Sequence, residues 1–225
     1  MAKVSLVRRA QIGLERRAKS HARLIRATRA LISVRAVDSI TVDDVTREAG
    51  VAKGTFYVHF RHLDDLRAAV ADELAQELHD LLLPLHFAIV DPVERIAMGS
   101  LAFIRQAQQD PAWGGLAARG VWAFPTVASA ARKQLSEDLR LAGSQGRLTL
   151  ISAEVGFDIV IGIVLQAMRS ASERRLSPSD VSAAVSGILR GLGVAADEAD
   201  RIVRRLPEPP CPPKTSDQLP TAALD

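Results

Sequence analysis

The sequence predicts an all-α protein in which a small helical head precedes a larger helical body. Apolar residues recur at intervals of three and four along most of the chain, which is the period of amphipathic helices. No strand pattern competes with that period. Hydrophobic residues make up 48% of the 225 residues, which is ample for a core.

The segment 41–60 predicts a helix-turn-helix. Thr41 is a good N-cap, and Asp44 three residues later completes a pattern like a capping box. Gly50 ends the first helix, where a left-handed residue is expected. Phe56 and Phe60 lie four residues apart and can pack on the first helix. Such a motif lays its second helix in the major groove of duplex DNA.

Two parts of the chain supply the predicted contacts with DNA. On the second helix of the motif, the side chains on the outer faces are basic, hydroxyl-bearing or aromatic. Gly54 leaves room for a phosphate to approach the backbone amides at the start of that helix. The basic residues that precede the motif add contacts with phosphates. The predicted DNA-binding residues are Thr41, Lys53, Gly54, Thr55, Tyr57, His59, Arg16 and Arg17.

Residues 22–70 resemble the DNA-binding domain of the TetR/AcrR family of regulators. The positions that carry the resemblance are Thr41, Val42, Val45, Ala49, Gly50, Val51, Lys53, Gly54, Thr55, Phe56, Tyr57, His59, Phe60 and Leu66. Two positions depart from the family pattern. Leu63 stands where a lysine usually contacts a phosphate, so one backbone contact is expected to be weaker. Ala36 stands where a glycine usually ends the first helix, and alanine predicts a different exit because it resists positive φ.

The distribution of charge agrees with a DNA-binding head. Residues 1–62 contain 13 lysines and arginines against 5 acidic residues, a net charge of +8. The remaining residues contain 16 against 21, a net charge of −5, so the overall +3 conceals a basic head on an acidic body. A basic domain beside an acidic one is typical of a duplex-DNA binder whose other half has a separate task.

Prolines, glycines and changes of composition divide the chain into four predicted regions. These are a basic arm (1–20), a helix-turn-helix domain (21–66), a helical regulatory and dimerisation domain (67–206) and a disordered tail (207–225). The predicted helices outside the motif cover 21–36, 64–83, 92–109, a stretch opened by Pro111, 126–142, 152–174, 178–191 and 196–206.

The helix predicted at 152–174 is apolar on nearly all sides, which predicts burial on more than one side. One of those sides is expected to face a second subunit, and the family resemblance implies that this helix and 178–191 pair with their copies as a four-helix bundle. The alternative is a monomeric core.

The resemblance also implies a pocket in the body for a small hydrophobic effector. The predicted ligand-binding residues are Phe87, Met98, Leu101, Trp113, Leu116, Arg119, Trp122 and Asp158. Each apolar member of this set has an ordinary alternative role as a core residue.

The sequence contains little that indicates a metal site, a phosphate-binding loop or a catalytic site. The one cysteine, Cys211, lies in the proline-rich tail, and His59 and His62 lie in or beside the recognition helix. No glycine-rich phosphate loop and no nucleophile elbow is present. We therefore expect no enzyme activity, no cofactor and no metal site. The lone cysteine and the lack of an apolar signal segment indicate a cytoplasmic protein, and the apolar run 155–168 is too short to span a membrane.

Two functions remain from the sequence. The first is a DNA-binding transcriptional regulator, a ligand-responsive repressor that binds a palindromic operator as a homodimer. The alternative is a helical interaction module or a membrane-surface adaptor whose basic arm binds anionic lipid. The spacing within 41–60 favours the regulator, because lipid binding requires no such spacing.

Overall fold

The computed structural model describes residues 2–149 and 152–209, and this part of the chain contains α-helices and no β-strand. The prediction of an all-α fold is confirmed. The ten α-helices of the described residues are α1 (Ala2–Val34), α2 (Val42–Ala49), α3 (Lys53–His59), α4 (Leu63–Ala88), α5 (Pro92–Gln109), α6 (Pro111–Ala123), α7 (Pro125–Ser144), α8 (Ala153–Ser172), α9 (Pro178–Gly191) and α10 (Ala196–Arg205).

The head is formed by α1, α2 and α3, with the first turns of α4 closing its core. Leu24 and Ile32 of α1 are fully buried, and they share a core with Val45 of α2 and Phe56 of α3. Leu66 of α4 joins the same core, so the connecting helix is anchored in the head. Leu63 begins α4 and packs partly buried against this core, where the family usually has a lysine.

The first helix is longer than the sequence predicts. The basic arm and the helix expected at 21–36 form one continuous helix, α1, that begins at Ala2 and ends at Val34. Residues 2–20 are rich in alanine, leucine, lysine and arginine and contain no proline, so a helix started in the head core propagates through them. At 33 residues α1 is about 50 Å long.

The exit from α1 uses extended backbone. Ala36 has φ −64° and ψ 137°, and a single 3₁₀ turn at Val37–Ser39 follows it. The chain therefore turns toward α2 without a left-handed residue, which is why alanine is tolerated in place of glycine.

The sequence predicts that the connecting helix α4 ends before Pro84. In the structure α4 continues to Ala88. Proline removes one hydrogen bond and crowds the preceding turn, which usually ends a helix. Here Leu81 and Leu85 on either side of Pro84 are both buried against the body. Their burial holds the last turn in the helical conformation in spite of the proline.

The body is built around α8, which packs against α5, α6, α7 and α9. The expectation that the apolar run 155–168 is too short to span a membrane is wrong for α8, which is long and apolar enough by length and composition. However, 56% of that stretch is buried inside the protein, as in a core helix. Prolines at the first turn of α5, α6, α7 and α9 set the starts of these helices. The tail predicted as disordered lies outside the described residues from 210 onward.

Candidate nucleic-acid interface and internal cavity

The turn between α2 and α3 has the geometry of a helix-turn-helix. The Thr41 hydroxyl accepts a hydrogen bond from the Asp44 amide, and Asp44 in turn accepts from the Thr41 amide, so both halves of the capping box are present. Hydrogen bonds from Thr41 hold the pKa of Asp44 below its ordinary value. Gly50 has φ 60° and ψ 43°, a left-handed conformation in which a side chain is strained, so glycine is favoured at the turn.

The outward face of α3 is partly aromatic and apolar. Phe56 and Phe60 turn into the head core, whereas the side chains of Tyr57 and Val58 are 55% and 57% exposed. Lys53 and Gly54 are exposed at the start of the helix, and no atom lies within 4 Å of a Cβ built on Gly54. Val58 is not among the residues predicted to contact DNA. Because Phe56 and Phe60 face inward, helical spacing places Val58, which lies between them, on the outer face.

Two of the predicted contact residues, Lys53 and Thr41, are engaged with acidic residues of α2. The ammonium of Lys53 lies 2.8 Å from Oδ1 of Asp43, whose carboxylate raises the pKa of Lys53 above its ordinary value. A phosphate would have to compete with Asp43 for this cation. The Thr41 hydroxyl is occupied by its capping bonds with Asp44, so Thr41 shapes the start of α2.

His59 faces α1 instead of solvent. Its Nε2 lies 2.7 Å from the Ser20 hydroxyl, and its ring packs edge-on against His21 with centroids 5.5 Å apart. Arg17 donates from Nη2 to the Val58 carbonyl at 3.3 Å, near the end of α3. These two contacts join the recognition helix to α1, and Arg16 and Arg17 are both exposed.

We expect the head to lose stability as the pH falls below the ordinary histidine value of 6.5. Burial lowers the pKa of His59, and the neighbouring His21 and Arg17 lower it further. The unfolded chain therefore takes up a proton at a higher pH than the folded head does, so this stability is present above pH 6.5 and is lost below it. Melting curves between pH 7.5 and 5.5 measure the loss, and His59→Gln should reduce it.

The control for this pH dependence is His79→Gln, because His79 is exposed on α4. That variant should retain the pH dependence of the natural chain. An equal loss of stability with falling pH in His59→Gln would contradict the assignment.

A cavity of about 60 Å³ lies in the body between α4, α5, α7 and α8. It is lined by Leu82, Arg95, Ile96, Gly99, Ser100, Phe103, Gln134, Leu135, Asp138, Val160, Ile161 and Val164. Most of this wall is apolar. The polar exceptions come chiefly from facing sides of α5 and α7.

None of the eight predicted ligand-binding residues lines this cavity. The side chains of Phe87 and Trp122 are 78% and 74% exposed, and Asp158 lies exposed on the outer face of α8. Met98, Leu101, Trp113 and Leu116 are buried elsewhere in the core. Arg119 donates to the Ser33 carbonyl at the end of α1. Trp113 does not line the cavity but contacts its wall, because its ring stacks on Phe103 with centroids 6.4 Å apart.

A buried ion pair stands in the cavity wall. Arg95 of α5 contacts Oδ1 of Asp138 on α7 through Nε at 2.8 Å and Nη2 at 2.6 Å. The two side chains are only 11% and 7% exposed. Nη1 of Arg95 donates to the carbonyls of Ile89 and Val90, both at 2.9 Å, where α4 ends. The pair therefore ties the end of α4 to α5 and α7.

Comparison with known families decides the identity of the fold. A family model described as tetracyclin repressor-like, C-terminal domain, matches residues 91–205. A second model, for bacterial regulatory proteins of the tetR family, matches residues 24–70. The chain belongs to the TetR family. The resemblance predicted from the motif is confirmed, and the chain is a DNA-binding transcriptional regulator.

Solved structures share the fold of this TetR-family chain. RolR in complex with the ligand resorcinol is 27% identical, with a TM-score of 0.61 over 88% of this chain and 98% of RolR. A gamma-butyrolactone receptor described as ArpA-like is 22% identical, with a TM-score of 0.62 over 84% and 97%. A TetR family transcription regulator from Marinobacter aquaeolei VT8 is 11% identical, with a TM-score of 0.64 over 79% and 97%. The comparison with curated proteins gives no match.

Membership of the TetR family bears on two further predictions. The family consists of non-enzymatic DNA-binding proteins, so the prediction that this chain is not an enzyme is confirmed. Membership of the family also favours a transcriptional regulator over the two alternatives from the sequence, a helical interaction module and a membrane-surface adaptor.

The head of this TetR-family chain is joined to its body by a polar network around α4. Glu77 of α4 accepts from Nη2 of Arg29 on α1 at 2.9 Å and from Nε1 of Trp113 on α6 at 3.1 Å. Glu73, one turn earlier, lies 3.5 Å from Arg29, and its pKa is raised chiefly by burial. Arg119 of α6 completes the junction by capping the end of α1. A movement of α6 or α4 would therefore change the contacts that hold α1 of the head.

Proposed function

We propose that this TetR-family chain is a ligand-responsive repressor that binds a palindromic operator as a homodimer. The observation that carries the proposal is the exposed face of α3, held on a head that bears a net positive charge. Tyr57 and Val58 present a ring and an apolar side chain to the major groove, where apolar side chains contact the thymine methyl group. The exposed arginines of α1 contribute contacts with phosphates. Lys53, Thr55 and Gly54 form the start of the same helix.

The dimer is proposed to form through α8 and α9. Their solvent-facing positions recur at helical spacing, and they are Val155, Asp158, Gly162, Gln166 and Arg169 on α8 with Ala183, Gly187 and Arg190 on α9. No atom of the protomer lies within 4 Å of a Cβ built on Gly162 or Gly187. Because these two glycines carry no side chain, the helices of two copies can approach each other closely. Two copies related by a twofold axis would suit a twofold-symmetric operator.

Regulation is proposed to follow from two arrangements of one dimer. In the DNA-bound arrangement the two α3 helices are about 34–36 Å apart, one turn of the duplex. A small molecule in the cavity touches Leu82 of α4 directly and Arg95, which holds the end of α4. A molecule that prefers a different position of α4 would change the spacing of the heads, and only its differential affinity for the two arrangements shifts the balance.

The structural likeness to RolR supports a small-molecule effector, since RolR has been solved with its ligand resorcinol and also without ligand. The cavity described above is the site that we propose for the effector, in place of the residues predicted from the sequence. A transcriptional regulator of this kind would act in the cytoplasm, where its DNA lies.

The proposed function is tested by mobility-shift titration of the purified protein with duplexes from upstream of its own coding region. Tyr57→Ala and Val58→Ala should each weaken binding to the retarded duplex by about 1–3 kcal/mol, because each removes a contact in the groove. Phe87→Ala is the matched control, since it removes an equally exposed aromatic side chain from the body. Undiminished affinity in both head variants would refute α3 as the recognition helix.

A further inference from the structure

The chemistry of the cavity is set by the one ion pair in its wall. Leu82, Ile96, Phe103 and the three aliphatic residues of α8 give it an apolar surface. Arg95 and Asp138 are the two charged residues among those that line it, and their charges cancel. A ligand that enters with its own net charge would leave that charge unbalanced in an apolar surrounding, which is costly. The cavity therefore favours a neutral molecule.

The ion pair leaves hydrogen-bonding capacity on both partners. Arg95 has five N–H donors. Nε contacts Asp138, Nη1 serves the Ile89 and Val90 carbonyls, and Nη2 also contacts Asp138. One N–H of Nη2 is left over by these contacts. In residues 2–149 and 152–209, all hydrogen bonds found for the Asp138 carboxylate involve Oδ1, and Oδ2 takes part in none. One donor of Arg95 and one acceptor of Asp138 thus remain on two residues of the cavity wall.

A hydroxyl group matches that pair of vacant positions, because it donates one hydrogen bond and accepts others. A carboxylate offers no donor to Asp138, and an ammonium offers no acceptor to Arg95. The size of the cavity adds a second constraint. One water requires roughly 10–15 Å³, so 60 Å³ suits a molecule of about one ring and excludes a long chain without rearrangement.

We propose that the cavity binds a neutral molecule of about one ring through a hydroxyl group that donates to Oδ2 of Asp138 and accepts from Nη2 of Arg95. The identity of this molecule as the effector rests on the proposed function; its chemical class rests on the cavity alone. Binding engages the residue that ties α4 to the body, because Nη1 of the same guanidinium holds the end of that helix. The ligand hydroxyl therefore contacts the side chain that holds the end of α4, the helix that connects the body to the head.

The test uses four one-ring probes on the full-length protein, with affinities measured by NMR titration. The probes are p-cresol, toluene, benzoate and benzylamine. We expect p-cresol to bind about tenfold or more tightly than toluene, because its hydroxyl bonds to charged partners out of water. Benzoate and benzylamine should bind more weakly than p-cresol. Tighter binding of either charged probe would overturn the proposed class, and binding of none of the four would overturn the site.

Two variants show where and how the probes bind. Arg95→Met with Asp138→Leu keeps the volume and removes both charges, so the preference for p-cresol over toluene should vanish while toluene still binds. Gly99→Ala adds a Cβ 3.3 Å from Leu82 Cδ2 in the cavity wall and should weaken all probes that bind. Gly143→Ala, with nothing within 4 Å of its Cβ, is the matched control and should change none. A preference for p-cresol that survives the double substitution would overturn the assignment to this pair.

Operator binding by the same preparation separates this inference from the proposed function. If the protein retards its operator and p-cresol shows no preference, the hydroxyl site is wrong and the regulator stands. If p-cresol binds as expected but no DNA is retarded, the cavity is correct and the proposed DNA function fails. The Gly99→Ala arm does not depend on the folding of the double variant.

Discussion

Gly187→Glu is expected to give folded monomers and to weaken operator binding by about 10²–10⁴-fold at a fixed protein concentration, because the two half-sites are then no longer bound together. Gly187 lies at the middle of the exposed face of α9, and a side chain there meets no atom of its own protomer. Replacing a helical glycine favours the helix, so the protomer should not be destabilised. In the dimer, the added carboxylate would be desolvated without a partner. Sedimentation and mobility-shift titration measure the two effects.

The matched control is Gly143→Glu, which introduces the same charge at a glycine of α7 that is equally exposed and unobstructed. It should leave both the mass in solution and the operator affinity unchanged. Val185 is unsuitable for this test although it belongs to the same helix as Gly187, because it is fully buried in the protomer core. A dimer that persists in Gly187→Glu would exclude this face of α9 as the interface.

Asp138→Ala is expected to lower the free energy of unfolding by about 3–5 kcal/mol, which is the usual cost of removing one partner of a buried ion pair. Arg95 would keep its charge in a site where its side chain is only 11% exposed. For a domain of this size the loss corresponds to a fall in melting temperature of about 6–20 °C. The measurement is thermal unfolding at one protein concentration, since the melting temperature of the proposed dimer would depend on concentration.

Arg95→Met combined with Asp138→Leu provides the comparison, because replacing both members of a buried pair by apolar residues of similar volume is often neutral or stabilising. The double variant should therefore melt well above Asp138→Ala. If the single and double variants melted together, the cost would come from lost packing or from the Ile89 and Val90 carbonyls, and not from an unpaired charge.

The helix-turn-helix is readable from the sequence because each of its determinants acts over a few residues. The capping box joins Thr41 and Asp44, three residues apart, and the structure contains both of its hydrogen bonds. Gly50 adopts the left-handed conformation expected from its place between the helices. Local hydrogen bonding and backbone sterics suffice at these positions.

The lengths of two helices are not readable in the same way. Pro84 predicts a helix end on local grounds, but the burial of Leu81 and Leu85 against the body carries α4 to Ala88. The basic arm reads as a separate segment because of its charge, yet its residues have good helix propensity and extend α1 from a start anchored in the head. In both cases a contact or nucleus distant in sequence decides the boundary.

The cavity is the part of the candidate site that the sequence does not predict. Aromatic residues suggest pocket walls, but Phe87 and Trp122 are exposed, and α4, α5, α7 and α8 together supply the lining. Arg95 and Asp138 are 43 residues apart and belong to no motif, so no spacing links them. His59 likewise has the expected position on α3 but turns toward Ser20 on α1.

The sequence by itself determined the helical class, the DNA-binding motif and the basic character of the head, because periodicity, capping and charge are properties of short segments. Only the tertiary structure decided which side chains meet across helices. It placed Arg95 against Asp138, joined Arg29 and Trp113 through Glu77, and turned Asp158 outward on α8. The reason is that cavities and ion pairs between helices depend on the relative rotation of whole helices, which packing of the complete core determines and no single segment encodes.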